Sequence, residues 1–372
     1  YRQLDERSNQ GAQLFRSLGL NTGDHIGLMI ENCSRFLEIC WAAQRSGIVF
    51  TPISTHLKKE ETAYILDNCG AKLFIGSLAL AEVAQDILAE ATGVERFYMV
   101  NGIKPGFESW EEAVDAQPDT PIADQSCGVP MLYSSGTTGQ PKGVYIPPHD
   151  PAFDAEPLLG ATLGSAFGFS EETVYLSPAP LYHAAPLHYN MMNLSLGGTS
   201  VIMEKFDPER ALALIEEHRV THSQWVPIMF IRMLKLPQEV RDRYDVSSMQ
   251  FAIHAAAPCP VEIKQQMIDW WGEVIVEYYS SSEGAGFTVI DSANWLTHQG
   301  SVGPALLGTI HIVDDDGNEV PTGEVGNVYF SGEQARFEYH NEPETTASAY
   351  NERGWATACD VGSLDEDGFL YL

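Results

Sequence analysis

Apolar positions along this chain follow two rhythms that alternate. Asp5 to Leu18 has a helical pattern closed by Gly19, and His25 to Ile30 is a short apolar strand. Phe36, Leu37, Cys40 and Trp41 then recur at helical spacing, with Gly47 as a stop signal. A strand at Ile48 to Ile53 follows, then a helix at Lys59 to Asn68, a strand at Leu73 to Ile75, a helix at Ala79 to Ala91 and a strand at Phe97 to Val100. Repeated helix–strand alternation argues for a parallel sheet of α/β type. Residues 101–128 lose the rhythm, hold Pro105, Pro118 and Pro121, and read as a surface excursion.

From Val174 the alternation resumes. Asp207-Pro208-Glu209 is a helix start: an N-cap residue, proline in the first position and an acid in the first turn. Strands follow at Thr221 to Val226, Met249 to Ile253 and Val274 to Tyr278, and helices at Ile228 to Lys235 and Val261 to Trp271. Beyond Gly300 the pattern changes. Thr309 to Val313 and Glu324 to Ser331 read as antiparallel strands around the turn Asp314-Asp315-Asp316-Gly317, and Leu364 to Phe369 is a second hairpin signal. A β-rich subdomain is therefore expected over residues 301–372, with α/β organisation before it.

Length and charge narrow the picture. A chain of 372 residues suits two or three subdomains. A formal net charge of −30 disfavours nucleic acid and anionic membrane surfaces as partners. Any polyphosphate site must concentrate positive potential locally. The six cysteines form no C-x-x-C pair and read as reduced, mostly buried thiols of a cytoplasmic protein. No apolar run reaches transmembrane length. Tyr1 in first place and Leu372 in mid-pattern suggest a part of a longer polypeptide.

The densest chemistry lies in Tyr133-Ser134-Ser135-Gly136-Thr137-Thr138-Gly139-Gln140-Pro141-Lys142-Gly143-Val144. Glycines admit backbone N–H groups close to an anion, hydroxyls donate to it or reach a metal, and Lys142 adds a point charge. An apolar lead-in from Val129 to Tyr133 reads as a strand feeding this loop. Lys142 is followed by Gly143, so the spacing is not that of a Walker A loop. A flexible Ser/Gly turn is the plain alternative.

The stretch resembles the phosphate-binding signature of the adenylate-forming superfamily, which includes acyl-CoA synthetases, peptide-synthetase adenylation domains and firefly luciferase. Four later stretches match that family's pattern in order. Pro180-Leu181-Tyr182-His183-Ala184-Ala185-Pro186 points to His183 beside the carboxylate being activated. His254-Ala255-Ala256-Ala257-Pro258 resembles the adenine and acyl pocket. Glu277-Tyr278-Tyr279-Ser280-Ser281-Ser282-Glu283-Gly284 is similar to the family's Y-G-x-T-E motif, with Ser280 and Ser282 in place of glycine and threonine. Trp355 to Gly362 holds Asp360, the ribose-binding aspartate by resemblance, with Cys359 where glycine is usual.

The resemblance implies two stacked α/β subdomains with mostly parallel sheets within residues 1–300, then the β-rich subdomain. A lid carrying the adenylation lysine would lie beyond this chain. It implies ATP-binding by Ser134, Ser135, Gly136, Thr137, Thr138, Gly139, Lys142, Ala256, Ala257, Pro258, Tyr278, Tyr279, Ser282 and Asp360. It implies a catalytic set of Lys142, His183, Ser282 and Glu283, and magnesium on Glu283 and Thr137. His183, Trp225, Met229, Ala255, Ser280 and Gly284 would contact the acyl group. The implied reaction joins a carboxylic acid to CoA through an acyl-adenylate, with ATP, Mg2+ and CoA as co-reactants, and a homodimer is compatible with it. Thr221 to Phe230 contains no acid that would pair with a substrate ammonium, which favours an apolar fatty, aryl or steroid-type acid. A carrier-protein-loading domain and a nucleotide-binding pseudoenzyme are the alternatives.

Overall fold

A computed structural model describes residues 1–134, 140–154, 158–332 and 336–372. The chain forms two compact units. The first comprises Tyr1–Ala161, Pro180–Leu187 and Glu338–Asn341, and the second Thr162–Ala179, His188–Phe337 and Glu342–Leu372.

The first unit is built on a parallel sheet of five strands among the described residues, in the order Val49–Pro52, His25–Met29, Ala71–Ser77, Arg96–Val100 and Glu108–Ser109. Ile26, Leu28, Phe74 and Ile75 are 0% exposed in its strands, as expected where helices cover a parallel sheet. The Lys59–Cys69 helix begins with Glu61 accepting from the Lys58 N–H at 3.0 Å and ends at Gly70 in the left-handed region. The predicted alternation is thus observed here.

Residues 101–128 depart from the surface excursion expected. Glu108–Ser109 adds the fifth strand and Trp110–Asp115 is a helix capped by the Ser109 hydroxyl. Trp110 is 2% exposed, with its ring 5.8 Å from Phe15 and 6.1 Å from Tyr98. One buried indole draws the segment back onto the core, a tertiary effect that the prolines around it conceal.

In the second unit a sheet runs in the order Ala305–Leu307, Phe287–Ile290, Ile275–Tyr279, Phe251–His254, His222–Trp225, Val174–Ser177 and Thr199–Ile202. The last five are mutually parallel, and Phe287–Ile290 and Ala305–Leu307 add antiparallel. The Pro208–His218 helix starts as its sequence predicts, with Asp207 accepting from the Arg210 N–H at 2.9 Å. Beyond residue 300 an antiparallel sheet orders Thr309–Val313, Gly326–Ser331, Val361–Leu364 and Leu370–Tyr371.

Candidate active site

In the first unit, Leu132–Ser134 and Lys142–Tyr145 form an antiparallel pair with Ser134 opposite Lys142. The glycine-rich stretch connects these two strands, so its ends are fixed by a sheet. Ser135, Gly136, Thr137, Thr138 and Gly139 lie outside the described residues. Lys142 Nζ is 5.4 Å from the ring centre of Tyr339. Tyr339 belongs to Glu338–Tyr339, which pairs antiparallel with Lys142–Tyr145. Gly143 permits this packing: a Cβ there would come within 2.9 Å of the Tyr133 ring, whose hydroxyl donates to Asn68 at 2.6 Å.

His183 stands at the start of the Ala184–Ser195 helix, its N–H bonded to the Pro180 carbonyl at 3.2 Å. Asn32 accepts from the Leu181 N–H at 2.8 Å and holds this turn in place. His183 is exposed, and its imidazole lies 4.5 Å from the Tyr182 ring. Crowding by protein atoms, and then nearby His56, hold its pKa below the ordinary value. At neutral pH it is an uncharged N–H donor rather than a cation.

The second unit places two expected motifs at the carboxyl ends of adjacent parallel strands, where open α/β sheets bind ligands. Phe251–His254 runs into the Ala255–Pro258 loop, and Ile275–Tyr279 runs into Ser280–Gly284. Ala255 is buried, whereas Ala256, Ala257 and Pro258 are exposed. Ala256 has φ +72°, a left-handed conformation uncommon for a residue with a Cβ.

Tyr279 donates its phenol to Asp360 Oδ2 at 2.6 Å. Burial first, then this bond and the negative charges of Asp360 and Glu283, push the phenol pKa well up, so Tyr279 stays protonated and donating. Tyr279, Glu283 and Asp360 are therefore brought together. Glu283 is 9% exposed, and Ser282 beside it in the turn is half-buried. The Ser280 hydroxyl donates to the Gly286 carbonyl at 2.8 Å and closes the loop internally. Gly284 has φ +63° and its N–H reaches the Ser281 carbonyl at 3.1 Å.

Cys359 occupies φ +67°, the conformation that the usual glycine would adopt without strain. The loop before Asp360 keeps its shape because Thr357 Oγ1 accepts from the Cys359 N–H at 2.9 Å and donates to the Val328 carbonyl at 2.7 Å.

Three expectations are corrected. Trp225 is 0% exposed, with its N–H on Ser223 and its ring packed near Phe206, Phe230 and Trp271. Met229 is buried in the same cluster. Both are core residues here, because the apolar strand-to-helix connection that holds them is covered. Tyr278 faces away from Tyr279, as successive strand residues must, and stacks on Phe287 at 4.6 Å. The sequence reading also missed Tyr339 beneath Lys142 and Asn32 behind the His183 turn. Phe337-Glu338-Tyr339-His340 offered a signal for the first, and nothing local offered one for the second.

Comparison with known proteins agrees with the family resemblance. A family model described as AMP-binding enzyme matches residues 1–340. A feruloyl-CoA synthase from an Amycolatopsis species is 30% identical over 376 residues, covering 100% of this chain and 72% of that protein. A long-chain-fatty-acid–CoA ligase of Mycobacterium tuberculosis is 29% identical over 380 residues, covering 100% and 72%. Among solved structures, a Mycobacterium tuberculosis fatty acyl CoA synthetase aligns with TM-score 0.84 at 26% identity, covering 99% of this chain and 71% of that one. An amide bond synthetase from Marinactinospora thermotolerans aligns with TM-score 0.88 at 24% identity, covering 99% and 73%, a likeness of fold.

Proposed function

This chain belongs to the AMP-binding enzyme family, and from that premise we propose that it activates an apolar carboxylic acid as an acyl-adenylate and passes the acyl group to CoA. The observation that carries the reading is the Tyr279–Asp360 bond beside Glu283, next to exposed small residues at a sheet's carboxyl edge. Asp360 accepts from the ribose hydroxyls, and Tyr279 fixes the carboxylate for that task. Ala256, Ala257 and Pro258 leave room for a flat base. Ser134, the glycine-rich loop and Lys142 bind the β- and γ-phosphates, against a chain whose net charge is −30.

Neutral His183 donates its N–H to the substrate carboxylate and orients it. One carboxylate oxygen bonds to the α-phosphorus while the bond to the β-phosphate oxygen breaks and pyrophosphate leaves. The CoA sulfur, as thiolate, then bonds to the acyl carbon and AMP departs with the bonding pair. Among the described residues no cluster of three metal-ligating side chains occurs. A single near-buried carboxylate fits a magnesium ion that takes its other ligands from phosphates and water, and Glu283 would hold it. When bound, that ion neutralises phosphate charge.

Ala255, Ser280 and Gly284 are assigned to the acyl side. The relatives named for feruloyl and long-chain fatty acids support an apolar tail. A cytoplasmic location is proposed on the six free cysteines, and among the described residues no helix is long and apolar enough to cross a membrane. Mass spectrometry of products formed from ATP and ferulic, fatty or steroid acids, with CoA or an amine as acceptor, tests the reading. An acyl-CoA product supports it. An amide product reassigns the acceptor, and ATP binding with no product turns the reading into that of a pseudoenzyme.

A further inference from the structure

The second unit buries three ionisable side chains that the proposed reaction does not use. Lys264, on the Val261–Trp271 helix, is 0% exposed and donates to Glu277 Oε2 at 2.7 Å. Its Nζ lies 4.9 Å from the ring centre of Trp295. His254 is also 0% exposed, with Nε2 3.7 Å from the same carboxylate oxygen and with neither ring nitrogen hydrogen-bonded. Sheet register creates the cluster, since His254 is the direct partner of Glu277 across two parallel strands. Phe230 closes it with its ring 5.4 Å from the imidazole at 70°.

A buried ion pair is weak evidence for stability, because an apolar pair of similar volume often serves as well. The place of this pair in the chain is more telling. His254 leads into the Ala255–Pro258 loop, and the chain re-enters regular structure in the helix that carries Lys264. Glu277 lies two residues before Tyr279, the donor to Asp360. One ion pair therefore ties the exit of the first loop to the strand that feeds the second. Burial lowers the Lys264 pKa and raises that of Glu277, and each partner opposes the other's shift.

We infer that Lys264, Glu277 and His254 form a positioning unit, which sets the Ala255–Pro258 loop against the Tyr279–Glu283 segment for nucleotide binding. This rests on the nucleotide reading proposed above. The test is the double variant K264M/E277L, which replaces the pair by apolar groups, with thermal unfolding, calorimetric AMP titration and ATP kinetics measured together. The expected result is a cooperative unfolding transition near that of the wild type, a Kd for AMP at least about tenfold weaker, and a raised KM for ATP with kcat at saturation within about twofold. A folded double variant with unchanged Kd and KM overturns the inference. If the double variant does not fold, H254L decides in its place: weaker AMP binding supports the inference, and unchanged binding overturns it. A wild-type chain that binds no AMP removes the nucleotide reading and this inference together, an outcome distinct from failure of the variants alone.

Discussion

At the scale of single residues, the left-handed positions are the most informative. Cys359 and Ala256 both hold conformations that cost an ordinary side chain about 1–2 kcal/mol, and each lies in a motif assigned to the nucleotide. Relief of that strain, less glycine's own entropy cost of about 0.5–1 kcal/mol, predicts that Cys359→Gly raises the melting temperature by a few degrees with activity kept. A lower melting temperature would contradict it. Cys359 is also exposed, whereas burial raises the pKa of each of the other five thiols. Alkylation should therefore mark Cys359 first, and AMP at the neighbouring Asp360 should slow it; peptide mapping with and without AMP measures both. Tyr279→Phe removes the donor to Asp360 and should raise KM for ATP about tenfold, about 1.4 kcal/mol. Glu283 and Asp360 stand out in the sequence because their spacing from tyrosine, serine and glycine is distinctive, and what the structure adds is the Tyr279–Asp360 contact. Trp225 was misread because its apolar neighbourhood fits a core and an acyl pocket equally well.

Among elements, the hairpin that flanks the glycine-rich stretch is the critical one. It places Lys142 against Tyr339 through a third short strand from nearly two hundred residues later in the chain. Gly143→Val would drive a side chain into Tyr133 and displace its bond to Asn68. Overpacking of this kind costs about 1–3 kcal/mol, so the variant should melt several degrees lower and lose ATP affinity as Lys142 shifts. Unchanged melting and affinity would show that the hairpin tolerates rearrangement. Elements with local signals were readable in advance, including the Asp207-capped helix and the alternation before Val100. Elements made by distant contacts were not: the Glu108–Ser109 strand depends on a neighbouring edge, and the placing of His254 beside Glu277 depends on strand register.

For the molecule as a whole, charge sets the response to solution conditions. A net charge of −30 repels itself, so raising salt from about 0.05 to about 0.5 M at pH 7 should increase the melting temperature as screening shortens the range of that repulsion. Acid acts through the histidines. Burial lowers the pKa of His183, His222, His254 and His340, and that of His25 to about 4. The unfolded chain binds these protons near its ordinary value of about 6.5, before the folded one does. Stability is therefore fully present above about pH 6.5 and is lost as pH falls toward 4, with His25→Asn flattening that decline. A melting temperature independent of pH over this window would contradict the account. The central claim concerns the chemistry, and exchange of labelled pyrophosphate into ATP tests it most directly. The assay uses the protein with magnesium and without CoA, across fatty, aryl and steroid acids. The account predicts exchange that requires one class of apolar acid and falls sharply in Asp360→Ala. Tight ATP binding with no exchange on any acid would contradict it.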